Sequence, residues 1–433
     1  MTVVVVGGGW AGLAAAISLS HQPRAVTLLE SAPQLGGRAR VIKLGGRILD
    51  NGQHLVIGAY HRYLYYLQIL GVDEREIFDR QALSFTLFDL EGMTRTLKAP
   101  HLPAPIHLLI ALVRGQGFTA QEKLAALKFC ARLSWRRFVC DPHCSVADIL
   151  NQYAQPPALV RALWEPLCIA TLNTPIASAS AQVFLRVLRD TFTRRNKDSH
   201  LLVPRCTIGD WFVAPATDYL LAQEVSIYPN TRVVALKIED DVVQGVTTSD
   251  NQFYPAQRVV LATPPHVTAS LLRGHPMLDE LASKLSMIPY EPIVTVYLSY
   301  GPGVTLGMPM LGVLGGTTQW VFDRACSGDD GTFAVVISAA SPLRDQTNLT
   351  LGAHVAKELA QVFPHLPPAI SIQVVREKRA TFLCTPEVQA LRPSTKTPIG
   401  GLLLAGDYVD TGYPATLEGA VISGYNAAQI SVQ

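Results

Sequence analysis

Charge is scarce in this chain. Only 16% of its 433 residues are Asp, Glu, Lys or Arg, and the formal net charge is +2. That balance builds no basic face for nucleic acid, so no nucleic-acid partner is expected. The seven cysteines are odd in number and none forms a Cys-x-x-Cys unit. Neither a disulfide framework nor a zinc site is indicated, which makes a reducing cytoplasm the expected compartment and a bound metal unexpected. Long apolar runs are also missing. Beyond the N-terminus the longest is Ile106–Val113, far short of a membrane span. Residues 1–20 are small and apolar, like a signal peptide, but no basic residue leads them and three glycines interrupt them. A strand followed by a phosphate loop explains them better. No Ser-His-Asp order, metal-ligand cluster or P-loop competes with that reading.

Apolar residues, by contrast, make up 48% of the chain. So large a share predicts a big core and an apolar substrate or surface. The length predicts two to three domains, or one intertwined pair.

The chain opens as strand, helix, strand. Val3–Val6 reads as a buried strand, Trp10–Ser20 as a helix and Ala25–Leu29 as a second strand. Between the first two lies Gly7-x-Gly9-x-x-Gly12, with Trp10 and Ala11 inside it. Its first glycine permits a tight turn, its second lets backbone approach a pyrophosphate, and its third lets helix and strand pack closely. N–H groups at the helix start then face the phosphates. Glu30, at the end of the second strand, sits where a ribose-binding carboxylate belongs. The predicted architecture is thus α/β, α+β overall: a Rossmann-like dinucleotide domain with an interleaved substrate domain.

The far end repeats the theme. Leu402–Leu404 reads as a strand, Gly406-Asp407 follows, and a helix opens near Thr416. A plain nicotinamide enzyme needs only the first motif; using both ends points to the longer FAD. Arg38, in Gly36-Gly37-Arg38, can offset diphosphate charge. Asp407 suits ribityl hydroxyls, although a helix-capping Asp reads the same way. The helix from Thr416 and Leu417 can direct its positive end at a reduced flavin.

In between, residues 60–195 read as mainly helical, with Thr119 and Glu122 as a capping box. Leu124, Leu127, Ala131, Trp135 and Phe138 form the expected apolar stripe, opposite Arg132, Arg136 and Arg137. Arg232–Ile238, Val242–Thr247 and Val259–Ala262 read as a small meander. Strands are expected at Ile293–Leu298, Met310–Leu314, Phe333–Ser338 and Ile370–Val375, and a helix at 349–362. The expected division is a discontinuous FAD-binding domain (1–58, 203–265 and 385–433) with a substrate domain of helical (59–202) and sheet (266–384) parts.

The opening motif, Gly36-Gly37-Arg38, Val259 to Pro265 and Gly406-Asp407…Glu418-Gly419-Ala420 resemble the amine oxidase and phytoene desaturase superfamily of flavoproteins. Leu49 to Leu55, Trp164 to Cys168, Asn173-Thr174-Pro175 and Arg376 to Phe382 further resemble its squalene-associated FAD-dependent desaturases, understood as hydroxysqualene dehydroxylases of hopanoid biosynthesis. The resemblance implies that FAD is also held by Ser31, Ala39, Gly52, Gln53 and Val233. It implies reductive removal of the hydroxyl of hydroxysqualene to give squalene, with squalene-pathway enzymes as partners.

Such a reaction wants a proton donor for the leaving oxygen. His54 is one candidate, a backbone-bonded structural histidine being the alternative. Glu165, beside Pro166 in an apolar helical region, is another; a salt bridge or N-cap reads equally well. Tyr413 can hold the substrate oxygen or merely pack. Asp50 and Asp410 sit at turns that favour Asp anyway. A carotenoid-type desaturase or amine oxidase remains open, as does a prenyl-lipid-binding escort protein without catalysis. The segment Pro100–Gly117, with the basic helix after it, suits either a core helix or a peripheral contact on the inner face of the cytoplasmic membrane.

Overall fold

Four consecutive valines make the first strand a central one. In the computed structural model, which describes residues 2–430, Thr2–Val6 (β1) buries Val3, Val4, Val5 and Val6 to 4% exposure or less. Alternate valines enter two different apolar clusters, Val4 and Val6 on one face and Val3 and Val5 on the other. A parallel strand covered on both faces requires that composition. Ala25–Leu29 (β2), Ser226–Tyr228 (β3), Arg258–Leu261 (β4) and Leu402–Leu404 (β5) complete a five-stranded parallel sheet of order β3-β2-β1-β4-β5. Trp10–Ser20 (α1) and Leu417–Ile430 (α2) pack together over one face. Both chain ends therefore meet in one layer. Met1 and residues 431–433 lie outside the described residues.

The meander is corrected in its last member. Val233–Glu239 and Val242–Thr248 pair antiparallel, but their third strand is Phe253–Pro255. Arg258–Leu261 instead joins β1 in the parallel sheet. The apolar run 259–261 is buried on both sides, and only a central parallel strand buries it so.

A seven-stranded mixed sheet forms the second large layer. Its order is Ser371–Phe382, Tyr290–Ser299, Thr332–Ile337, Trp320–Asp323, Met310–Leu314, Ser84–Asp89 and Thr94–Lys98. Its last two strands fall inside the region expected to be mainly helical. Thr94–Lys98 holds a single apolar residue, Leu97, so its period of two shows only in the structure, where Arg95 and Leu97 turn inward between more exposed neighbours.

Helix Ala120–Trp135 carries the expected capping box, but its buried face is not the expected stripe. Glu122, Ala126, Phe129 and Leu133 face inward, whereas Leu124 and Trp135 are 52% and 90% exposed. Glu122 explains the rotation. Its carboxylate accepts from the Thr119 N–H and lies 3.7 Å from buried Arg95, which turns the 122–126–129–133 face toward the core.

Candidate active site

Three glycines at the end of β1 have three different surroundings. Gly7 has φ +105, and a Cβ there would meet the Ala262 carbonyl at 2.7 Å. A Cβ on Gly12 would lie 1.8 Å from the Gly7 carbonyl oxygen. Gly7 is glycine because of its positive φ and the end of the neighbouring strand β4, and Gly12 because α1 touches the end of β1. Gly9 differs: the nearest atom to a Cβ there is Gly37 Cα at 3.8 Å. Space has been left beside Gly9, and α1 starts at that point with no capping side chain and no acid in its first turn. A helix N-terminus left open toward a cavity is an anion site.

That cavity encloses about 1210 Å³. Gly7, Gly9, Trp10, Ala11, Glu30, Ser31, Gly37, Arg38, Ala39, Gly52, Gln53, Val233, Gly406, Asp407, Thr416 and Leu417 all line it; Gly12 sits behind, as the contact between helix and strand. The Glu30 carboxylate accepts the Gly8 and Ala32 N–H groups at 2.7 Å each, which fixes it at the end of β2. Trp10 donates its indole N–H to the Ala39 carbonyl at 3.1 Å, tying the two glycine loops together. Arg38 reaches the far end of the chain, with Nη2 2.6 Å from Asp407 Oδ1 and Nη1 2.8 Å from the Ala380 carbonyl. Thr416 caps α2, accepting the Gly419 N–H on its hydroxyl at 3.0 Å. An open diphosphate cradle, a ribose carboxylate and a second helix start thus share one elongated cavity, and the residues present fit FAD.

Beyond this polar end the wall becomes apolar, with Leu83, Phe85, Phe184, Leu188, Trp320 and Phe322 on it. His54 and Tyr413 line the same cavity. His54 Nε2 is buried with no hydrogen-bond partner, and burial holds the ring's pKa below its usual value. Unpaired buried nitrogens are costly, so this one is poised for a bound group. Its turn is held from behind. Arg324 donates to Asp50 at 3.0 Å and to Gln53 at 2.5 Å, and Asp50 also accepts the Ile208 N–H at 2.9 Å. Asp50 is therefore a structural anchor.

Tyr413 donates its hydroxyl to Asp190 at 2.7 Å. Burial, then the neighbouring carboxylate, push its pKa up to about 12. Burial alone would raise Asp190, but hydrogen bonds from Arg189, Tyr413 and Arg186 outweigh it and hold the carboxyl below its ordinary range.

Glu165 stands elsewhere. Burial raises its pKa as an acid would need, but it lines a separate cavity of about 290 Å³ with Arg161 and Pro166 and is not on the large cavity's wall. A proton donor has to reach the substrate oxygen, so the acid role expected for Glu165 is withdrawn. Trp320 lines both cavities and stands between them.

Lys378 and Arg379, near a strand end, are readable in the sequence as site or surface charges, but the hydrogen-bonded chain that Arg379 joins beside Arg38 is not. Arg379 meets His266 Nε2 at 2.6 Å, and His266 Nδ1 meets the Tyr290 hydroxyl at 2.8 Å. These three residues come from three distant segments, and no spacing announces them. Asn173 has a plain role: at φ +49 it ends its helix and hydrogen-bonds Thr381, the Glu291 carbonyl and the Ala339 N–H.

The pattern of the family described as flavin containing amine oxidoreductase matches residues 10–430. The chain is 30% identical over 435 residues to hydroxysqualene dehydroxylase of Zymomonas mobilis, covering 99% of this chain and 98% of that one. It is 32% identical over 439 residues to the enzyme of the same name from Rhodopseudomonas palustris, again covering 99% and 98%. Its fold is similar to that of an oxidoreductase from Methanosarcina mazei, with TM-score 0.78 at 14% identity over 99% of this chain and 100% of the other. A cavity fitted to a flavin dinucleotide agrees with the family match. The chain is an FAD-dependent oxidoreductase and belongs to the flavin-containing amine oxidoreductase family.

Proposed function

We propose that the protein removes the hydroxyl of hydroxysqualene, an apolar C30 alcohol, to give squalene in hopanoid or triterpenoid biosynthesis. The observation that carries this reading is the composition of the large cavity: a dinucleotide cradle at one end and an aromatic and aliphatic wall at the other. The similarity to two hydroxysqualene dehydroxylases over nearly their whole length supports it. An amine substrate would want a polar or aromatic cage, whereas the aliphatic Leu83, Leu167, Leu188 and Leu201 that share this wall with the aromatic rings offer a hydrocarbon chain dispersion and dehydration.

The reaction balances as one carbon–oxygen bond broken, one hydride delivered to that carbon, and one proton given to the oxygen, which leaves as water. Reduced FAD, when bound, supplies the hydride. The chain supplies orientation, dryness and the proton. In this reading His54 is the proton donor: its lowered pKa makes the imidazolium a stronger acid than an ordinary histidine. Tyr413, anchored on Asp190, holds the substrate oxygen. The apolar wall keeps water from competing for the cationic carbon.

Incubating the photoreduced enzyme with hydroxysqualene, and the oxidised enzyme separately with phytoene and with a set of primary amines, tests the reading. Squalene from the first alone is expected. A desaturated polyene from phytoene, or an aldehyde from an amine, would replace it.

A further inference from the structure

Helix Ile106–Arg114 lies just outside the cavity's apolar wall. Its buried His107 is 3.0 Å from the Ser199 hydroxyl, and Leu108 packs into the apolar cluster containing Leu83 and Leu201. Ser199, Leu83 and Leu201 all line the cavity. The opposite side of the helix is left open by the described residues. Ile106, Leu109 and Val113, spaced three and four residues apart, are 49%, 37% and 54% exposed, and Leu102 just before them is 37% exposed. The next helix, packed against this one, turns Leu124 and Trp135 outward as well. One exposed leucine needs no explanation; a row on one helix face does.

Basic charge predominates around this row; Glu74, brought near Lys197 by Arg80, is held in an ion pair with that arginine. No acid occurs between Glu91 and Glu122, while Lys98, His101 and Arg114 are exposed there. Exposed Arg195 and Lys197 join them, because Asn196 donates to the Leu102 carbonyl at 2.8 Å. Asp198, the acid beside that basic stretch, is buried and engaged by His61 at 2.8 Å. Two such surfaces would repel each other, which disfavours a second copy of the chain as the occupant. An anionic bilayer matches both the apolar row and its basic rim.

We propose that the 106–114 helix, with Leu102 and its basic rim, docks the protein on an anionic lipid bilayer. No helix among the described residues is long and apolar enough to cross a membrane, so the contact is interfacial, with the helix lying flat among the headgroups. Docked in this way, the cavity wall behind the helix faces the acyl chains. The docking surface stands whichever apolar molecule the cavity takes.

Sedimentation of the FAD-loaded protein with vesicles tests this. Binding to phosphatidylcholine vesicles containing phosphatidylglycerol is expected, weakened by salt, with little binding to pure phosphatidylcholine. The double variant Ile106→Asp/Val113→Asp should lower the bound fraction about tenfold or more. Arg195→Gln and Lys197→Gln should each lower it roughly fivefold. All are surface changes, so flavin absorbance should persist; if the aspartate pair loses flavin, the two glutamine variants carry the test. Failure of the wild type to bind anionic vesicles would overturn the proposal. So would undiminished binding by every variant, or a dimer formed without vesicles that the aspartate pair dissolves.

Discussion

Arg38 Nη2 lies 2.6 Å from Asp407 Oδ1, a contact that joins two glycine motifs 369 residues apart. Each motif positions the other's charged group on the cavity wall. Arg38 is one-third exposed, so the pair contributes little to stability by itself. Its effect is geometric. Asp407→Ala should release the guanidinium and weaken FAD binding roughly tenfold, because a fixed charge-assisted contact is lost. Flavin fluorescence titration of the apoprotein measures it.

The glycines separate binding from folding. Gly9→Val leaves the fold intact, since a Cβ there meets no protein atom closer than 3.8 Å, but its methyls fill the diphosphate position. The expected product is a colourless protein with wild-type circular dichroism. Gly12→Ala drives a methyl against the Gly7 carbonyl and should instead destabilise the protein itself.

Arg324 and Asp50 form a buried ion pair, each side chain 3% exposed. Arg324→Leu strands the carboxylate and should cost about 3–5 kcal/mol, read as a fall in the denaturant midpoint. Adding Asp50→Asn should recover part of that loss. In Arg324→Leu the turn bearing His54 is no longer held, so turnover of the folded fraction should fall too.

Glu418 is 2% exposed and accepts the Arg62 and Tyr63 N–H groups. Burial raises its pKa from 4.5 to about 7. The folded state thus holds a proton that the unfolded state releases between those values. The resulting stability is fully present below pH 4.5 and is lost as the pH rises to about 7, by about 3 kcal/mol. Glu418→Gln should flatten this part of the stability-versus-pH curve in urea titrations.

His54 has the opposite shift. Burial lowers its pKa below 6.5, so the folded state binds fewer protons than the unfolded one, and this group makes the fold less stable as the pH falls through 6.5. Activity should move the other way. If His54 gives the proton, kcat/KM rises as the pH drops toward its lowered pKa, and His54→Gln removes that limb while retaining flavin.

Much of the flavin end was legible in the sequence because it is built from local segments. Val3–Val6, Gly7 to Gly12 and Glu30 sit on consecutive elements, and the turn chemistry of each glycine follows from its place between strand and helix. The meander misled because Val259–Leu261 follows the hairpin closely in sequence; its unbroken apolar run, buried on both faces, instead marks a central parallel strand beside β1. The helix 120–135 misled because buried Glu122 turned the face inward. Glu165 misled because its burial was foreseeable while its position, behind Trp320, depends on tertiary packing. The Arg379–His266–Tyr290 relay was invisible for that same reason.

The most direct test of the account is a single turnover without oxygen. Photoreduced enzyme is mixed with one equivalent of hydroxysqualene, the flavin absorbance near 450 nm is followed, and the lipid is extracted. The account predicts one squalene formed for each flavin reoxidised, with the hydride from the flavin retained at the former carbinol carbon. Flavin that stays reduced, with hydroxysqualene recovered unchanged, would contradict it.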